Sequence, residues 1–472
     1  MFHGFTSDFL FSQWLFFRFL GLVYLLAFSS LLVQIKGLYS SKGILPAGEY
    51  LERVRRRYGI RRFFRCPTLF WINSSDHALI GAGIIGIVFS LLLVTDHLTS
   101  VSLLVLWMCY LSFVSIGQDF LMFQWDALLL EIGFLGFLIS LDTPSSSFSL
   151  LLLWFVNFRF MFSSGIRKLL SGDRTWRNLS ALKYHYETQP LPTPLAWYVH
   201  KMPVAFHRIC TFLVLFIEIV VPFLIFGSNT MRVVAALILA FLQVAIVLTG
   251  NYGFFNILSI VILIPLVPDG IWFRLTDSVN TFHSAIHSRA IQHIIHFVTG
   301  VLFVLNLLQF IAIFLKSKGV LRLLSIFSPF FLVNSYGLFT VMTTLRYEVN
   351  IEGSDDGVNW REYEFKWKPV KENNPLKWNI PHQPRLDWQM WFLALRQHGI
   401  DLWFVNLLLR LLEGEGWVLS LLKTNPFPEN PPRYIRAVLY EYRFTSTEKR
   451  RKTGCWWERK PLGLFCPVIN LK

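Results

Sequence analysis

The stretch Gly117–Gly136, GQDFLMFQWDALLLEIGFLG, sets Gln118, Asp119, Gln124, Asp126 and Glu131 inside or beside an apolar run. An ionised carboxylate at the centre of a bilayer costs at least a few kcal/mol. Such acids are therefore neutral, paired across a helix bundle, or close to the headgroups, and other parts of the chain must answer them. The composition identifies the solvent as lipid: of 472 residues, 54% are hydrophobic and only 15% charged, with mean hydropathy +0.48. A soluble domain carries about a quarter charged residues. Here long apolar runs recur as far as Val341 and then stop.

Working outward, the first run spans Trp14 to Val33, interrupted only by Arg18, and reads as an uncleaved anchor in which Arg18 snorkels to the headgroups. Further runs lie at 79–94, 101–116, 148–162, 209–226, 233–248, 254–267 and 291–315. A last one, Leu323 to Val341, is broken by Pro329 and holds Asn334 and Ser335, so it reads as a kinked span or a re-entrant piece. Lys316, Lys318 and Arg322 before it favour a crossing. The expected fold is a polytopic α-helical membrane protein of about nine to ten helices. It occupies residues 1–342, with long loops at 34–77 and 166–208, and is followed by a β-rich α+β soluble C-terminal domain over 343–472.

On a helix Asp119 and Asp126 share a face, while Glu131 lies about 140° round from Asp126. Arg159 is the nearest cation, so Asp126 or Glu131 is expected to pair with it as a structural bond, within an intramembrane polar network of Asp126, Glu131, Arg159 and Lys168. A proton-relay or substrate role is the competing reading. The loop 166–208 adds His185, His200 and His207, whose irregular spacing does not make a helical metal motif. No motif calls for a metal or a cofactor.

The net charge of +15 sits mostly in loops and in the tail, as in a membrane protein rather than a nucleic-acid binder. Loop 34–77 carries Arg53, Arg55, Arg56, Arg57, Arg61, Arg62 and Arg65, which places it in the cytoplasm by the positive-inside rule. Its sequon Asn73-Ser74-Ser75 has meaning only in the secretory lumen, as does the second sequon at Asn178. The five cysteines include no C-x-x-C pair. Cys455 and Cys466 pair as a disulfide if the tail faces an oxidising compartment and stay free thiols in a reducing one.

In the tail, RYEVNIEGSDDGVNWREYEFKWKP reads as a β-hairpin turning at Ser354-Asp355-Asp356-Gly357, without the spacing of a calcium loop. A helix begins near Asp387, a second amphipathic helix begins at Trp403 and closes at Gly414 or Gly416, and YIRAVLYEYRFTS and CWWERKPLGLF read as strands.

Several of these blocks, GQDFLMFQWDALLLEIGFL, FMFSSGIRKLLSGDRTWRNLSALKYHYETQPLPTPLAWYVHKMP, NYGFFNIL, WREYEFKWKP, PHQPRLDWQMWFLAL, NPFPENPPRYIRAVLYEYRFT and GCWWERKPLG, resemble in order those of the lipase maturation factor family. The resemblance implies an integral protein of the endoplasmic reticulum membrane with a lumenal C-terminal domain, or of the cytoplasmic membrane if the source is bacterial. It implies a chaperone-like helper for the folding and dimerisation of secreted lipases such as lipoprotein, hepatic and endothelial lipases. The partners are then secreted lipases and membrane lipid, with no nucleic acid. The chain ends PVINLK, without a KDEL-like retention signal. Trp360, Tyr363, Trp367, Trp388, Arg433, Arg436, Trp456 and Trp457 are the candidate client-binding residues, against the reading that most of these aromatics form the domain's own core. The alternative function is an intramembrane enzyme or transporter for a lipid or quinone-like molecule, using Asp126, Glu131, Arg159, Lys168, His185 and His200. No nucleophile elbow, phosphate loop or metal set names a reaction for it.

Overall fold

Apolar runs of this length become helices because a bilayer offers no partner for a free backbone N–H or C=O. The computed structural model describes residues 9–142, 147–276, 289–315, 317–396 and 400–471; Lys316 lies outside them. Among the described residues, eight helices are long and apolar enough to cross a membrane. These are α1 Leu10–Leu32, α2 Asp76–Val94, α3 Thr99–Ile116, α4 Gln124–Leu141, α5 Ser147–Leu170, α6 Val204–Ile219, α7 Asn229–Thr249 and α8 Arg289–Ile311. Serines start two of them: Ser75 Oγ accepts from the Ala78 N–H and Ser228 Oγ from the Met231 N–H. The innermost is α5, with 89% of its apolar stretch buried against 28% for α2 and α8.

A ninth pass is short and enclosed. Helix Phe255–Val261 continues into the turn Ile264–Leu266. At one end Phe255 packs on Trp125, at the start of α4. At the other, Val267 C=O accepts from Ser12 Oγ at the start of α1, and Trp154 Nε1 donates to Pro265 C=O at 2.9 Å. So few residues cross because tighter 3₁₀ turns rise further per residue and protein rather than lipid surrounds the segment.

The odd number of passes decides the side of the tail. Among the described residues these nine segments put the start of α1 and the tail at opposite ends of the bundle, and both long loops share the tail's end. Gln34 Nε2 donates to Gln383 C=O (2.8 Å), Asn406 Nδ2 to Ile44 C=O (2.9 Å) and Trp391 Nε1 to Thr188 C=O (2.8 Å). The expectation that Lys318 and Arg322 precede a crossing is therefore corrected. Lys318–Phe327 is a ten-residue helix, and the chain then dips into the bundle through Asn334 and Tyr336 and returns at Gly337, whose N–H donates to Gln124 Oε1 (2.9 Å). Leu323 to Val341 is a re-entrant piece. Arg18 does not snorkel freely, because it pairs with Asp96 in the α2–α3 connection and donates to Leu93 C=O.

The tail folds as an antiparallel sheet of β1 Arg346–Ser354, β2 Arg361–Glu362, β5 Tyr434–Phe444 and β6 Trp457–Asn470 in the order β2-β1-β5-β6, beside a two-stranded sheet of β3 Glu364–Phe365 and β4 Leu422–Thr424. Val349 faces Leu439 and Ile351 faces Ala437 across β1 and β5. Helices α9 Arg385–Leu395 and α10 Leu402–Leu412 complete it. Gly414 at φ +68° ends α10 in the left-handed conformation that glycine adopts without strain. The Asp356 carboxylate accepts from the Val358 and Asn359 N–H groups, which fills the hairpin turn with its own donors. Cys455 and Cys466 are both free thiols. Nine extended residue steps separate Trp457 from Cys466, roughly 30 Å, whereas a disulfide needs Cα atoms within about 7 Å.

Candidate functional site

The polar groups of the membrane half gather at three places. Glu131 on α4 faces Arg159 on α5, and both are buried. Arg159 Nε donates to Asn306 Oδ1 on α8 (2.9 Å) and its guanidinium reaches Asn334 C=O. The other Glu131 oxygen accepts from Asn334 N–H (3.1 Å), Asn334 Nδ2 (3.0 Å) and Tyr336 Oη (2.6 Å). One carboxylate thus holds α4, α5 and the re-entrant piece, with α8 tied in through Arg159. Asn334 and Tyr336 were readable as polar residues after Pro329, though not their partner.

Asp126, one turn into the bundle, does not meet Arg159. It binds Arg385 of α9 through both oxygens, at 2.5 and 2.8 Å, and accepts from Tyr110 Oη at 2.5 Å. Arg385 also donates to Phe120 C=O (3.2 Å). A guanidinium matches a carboxylate with two parallel hydrogen bonds. This fork locks the tail onto the membrane half. Around it Trp388 packs edge-on against Trp125, with ring centres 4.9 Å apart, and against Phe123 at 5.9 Å.

Lys168 on α5 meets Glu218 on α6, with Nζ 2.8 and 2.6 Å from the two carboxylate oxygens. A Cβ on Gly165 would stand 2.6 Å from Ile219 Cγ1 and 2.8 Å from Glu218 Cβ, so only glycine permits this approach of α5 and α6. Glu218 is the single acid of its run, a signal that the sequence carried. The pair borders an apolar cavity of about 460 Å³, which His185 and Tyr252 also line.

The histidines do not converge. His185 contacts Tyr252 Oη (3.1 Å), His200 lies 3.9 Å from Glu187, and His207 packs on Tyr186. Among the described residues no group of three or more His, Cys, Asp or Glu is placed to hold a metal ion.

The candidate client-binding residues separate. Tyr363, Trp388 and Trp457 are buried and cannot meet a partner; Trp388 is spent on the membrane half, and Trp457 on Phe444 and Tyr442. Trp360 is half-buried beneath Arg436, which itself pairs with Glu352 (2.7 Å). Trp367 is half-buried beside His382, and Trp456 is half-buried under Arg450, 3.4 Å above its ring. Arg433 is exposed. Periodicity could not show that the strand edge is the open surface. On β6, the outer strand of its sheet, Leu462, Leu464 and Val468 are exposed by 45%, 59% and 47%.

Fold and polar sites define a class: an integral membrane protein whose extramembrane β-domain is bolted to its helical bundle by a buried ion pair. Residues 11–274 match the lipase maturation factor transmembrane domain, and residues 332–467 match the lipase maturation factor C-terminal domain. The chain is 34% identical to lipase maturation factor 2 of Rattus norvegicus, over 97% of this chain and 83% of the relative. It is 31% identical to lipase maturation factor 1 of Mus musculus, over 99% and 88%, and 33% identical to lipase maturation factor 1 of Bos taurus, over 96% and 88%. The chain belongs to the lipase maturation factor family. No solved structure matches it.

Proposed function

We propose that this chain is a membrane-anchored maturation factor that helps secreted lipases fold and dimerise, with its tail and both long loops in the lumen of the endoplasmic reticulum. The observation that carries the reading is the match of both family domains, in order, to the two halves of one chain. Two structural features support it. The acids and bases that a membrane enzyme would use at Asp126, Glu131 and Arg159 are already occupied by one another and by Arg385, Asn334 and Tyr336. The tail, by contrast, offers apolar side chains on an open strand edge. Pro461 and Pro467 remove N–H donors from that edge, which blunts indiscriminate strand pairing and leaves Leu462, Leu464 and Val468 as contact surface for a partly folded client.

The test is rescue. The chain is expressed with a homodimeric secreted lipase in cells lacking their own maturation factor, and lipase activity is read per mass of lipase. Restored specific activity that falls with Leu462→Glu/Leu464→Glu, at unchanged protein level, supports the helper reading. No restoration by a correctly inserted protein refutes the lipase client.

A further inference from the structure

Loop 34–77 holds seven arginines between Arg53 and Arg65, and no acid stands from Arg53 as far as Ser75. Its helix Ala47–Tyr58 buries Ala47, Leu51 and Val54 on one face, and its Glu52 is taken by Arg55 and Arg56, at 3.9 and 2.9 Å. Gly59, at φ +52°, ends that helix, and Gly59–Arg61 and Arg62–Arg65 wind on as one tight turn and one α turn. Arg57, Arg61 and Arg65, each four residues on, are exposed and have no acidic partner among the described residues. Beside Arg61 and Arg65, Ile60 and Phe64 form a second stripe at the same spacing, and they are 77% and 72% exposed. Phe63 is spent on Trp71, with ring centres 5.9 Å apart, and Arg62 lies over both rings.

The depth of this patch follows from what the next residues hold. Ser115 Oγ donates to Pro67 C=O (2.9 Å), Thr68 Oγ1 to Ser112 C=O (3.2 Å), and the Leu69 N–H to Ser112 Oγ (2.9 Å). Ser112 lies one turn inside the end of α3 at Ile116, roughly 6 Å along the helix. The chain is therefore fastened at the edge of the hydrocarbon, and the turns just before it stand at headgroup depth. A large apolar side chain left in water there gives up the gain of burial, and an in-plane segment recovers it by sinking that side chain among the upper acyl carbons. Cations in the neighbouring stripe then stand level with the headgroups. A leaflet with anionic headgroups offers both chemistries side by side, and each arginine near such a surface strengthens the attraction roughly fivefold.

We infer that Arg57–Arg65 is an in-plane surface that binds anionic phospholipid in the leaflet at the tail's end, with Arg57, Arg61 and Arg65 on the headgroups and Ile60 and Phe64 among the acyl chains. The inference is independent of the lipase client. It also gives these arginines a use on the tail's side of the membrane, whichever compartment that side faces.

The full-length protein is placed in nanodiscs of phosphatidylcholine alone or with one part in five of phosphatidylserine, and amide hydrogen exchange is read by mass spectrometry. Peptides covering residues 59–65 should exchange at least about fivefold more slowly with phosphatidylserine present, the share of a single arginine, whereas strand β1 of the tail should not change. High salt should erase the difference. Arg57→Gln/Arg61→Gln/Arg65→Gln should abolish it, and Arg57→Lys/Arg61→Lys/Arg65→Lys, which keeps the charge, should retain it. Ile60→Ser/Phe64→Ser should speed exchange in both compositions. Should a variant misfold, the two compositions and the two salts still decide with the unmodified protein. Equal exchange in both compositions, or a slowing that survives in the glutamine variant, overturns the inference. So does an equal slowing produced in phosphatidylcholine nanodiscs by soluble glycerophosphoserine, which would make the patch a site for free anions.

Discussion

The Glu131–Arg159 cluster and the Lys168–Glu218 cluster are built alike. Each is a buried ion pair between neighbouring membrane helices, and each draws its cation from α5. They differ in what surrounds them. Around Glu131 every oxygen is met by Arg159, Asn334 or Tyr336, and the re-entrant piece closes the site. Around Lys168 the pair is satisfied, yet a cavity begins beside it, lined by His185 and Tyr252 as well. The same residue types thus serve as a staple in one place and as the rim of a chamber in the other, and the packing of a third element separates the two uses.

The largest expected effect breaks the closed cluster. Removing one partner of a buried pair leaves an uncompensated charge, so Glu131→Ala should cost about 3–5 kcal/mol and sharply reduce the amount of folded protein recovered in mild detergent. Arg385→Ala should cost a similar amount, but the loss should be directed: limited proteolysis should release the tail from an otherwise intact bundle. Intact tail attachment in that variant would remove the bolt from the account. A smaller effect sharpens the comparison. Lys168→Met/Glu218→Leu replaces an isolated pair by apolar groups and should be near neutral in thermal stability. Glu131→Leu/Arg159→Met should stay destabilising by a few kcal/mol, because Asn334, Tyr336 and Asn306 lose their partners.

The smallest effect lies in the tail. Hydrogen bonds from Lys371 and Lys423 hold the Glu364 carboxyl down to about 2, against about 4.3 unfolded. A depressed folded value means that the contribution is complete above about 4.3 and is lost as pH falls towards 2. Both lysines are half-exposed, so the term is small. Acid denaturation followed by tryptophan fluorescence should be slightly less steep over that window in Glu364→Gln. For the side of the membrane, Asn73 and Asn178 are both exposed at the tail's end of the bundle. If that end is lumenal, expression in animal cells should add glycans that Asn73→Gln and Asn178→Gln each remove, read as a mobility shift.

Much of the architecture was legible because it is local. The apolar runs, the hairpin at Ser354 to Gly357, the helix from Arg385 and the glycine stop at Gly414 follow from transfer energies, turn chemistry and caps that act over a few to about twenty residues. The site was legible only as a set of candidates. Asp126, Glu131, Arg159 and Lys168 announce themselves by their cost in lipid. Arg159 was readable as the partner of Asp126 or Glu131, and Glu131 is the one it meets; the answer to Asp126 from Arg385 was not readable, and the aromatic tail residues gave no sign of which would be buried.

By itself the sequence determined the membrane class, the places of the spans, the order of tail elements and the polar residues that must be answered. The tertiary structure alone decided that Asp126 is answered by Arg385 from 259 residues away, that a short ninth pass brings both loops to the tail's end, and that one of two similar ion pairs stands beside a chamber. The physical reason is range. A span is a sum of independent local terms along the chain, whereas a buried pair or a cavity exists only once several distant segments have packed together and fixed which groups can reach each other.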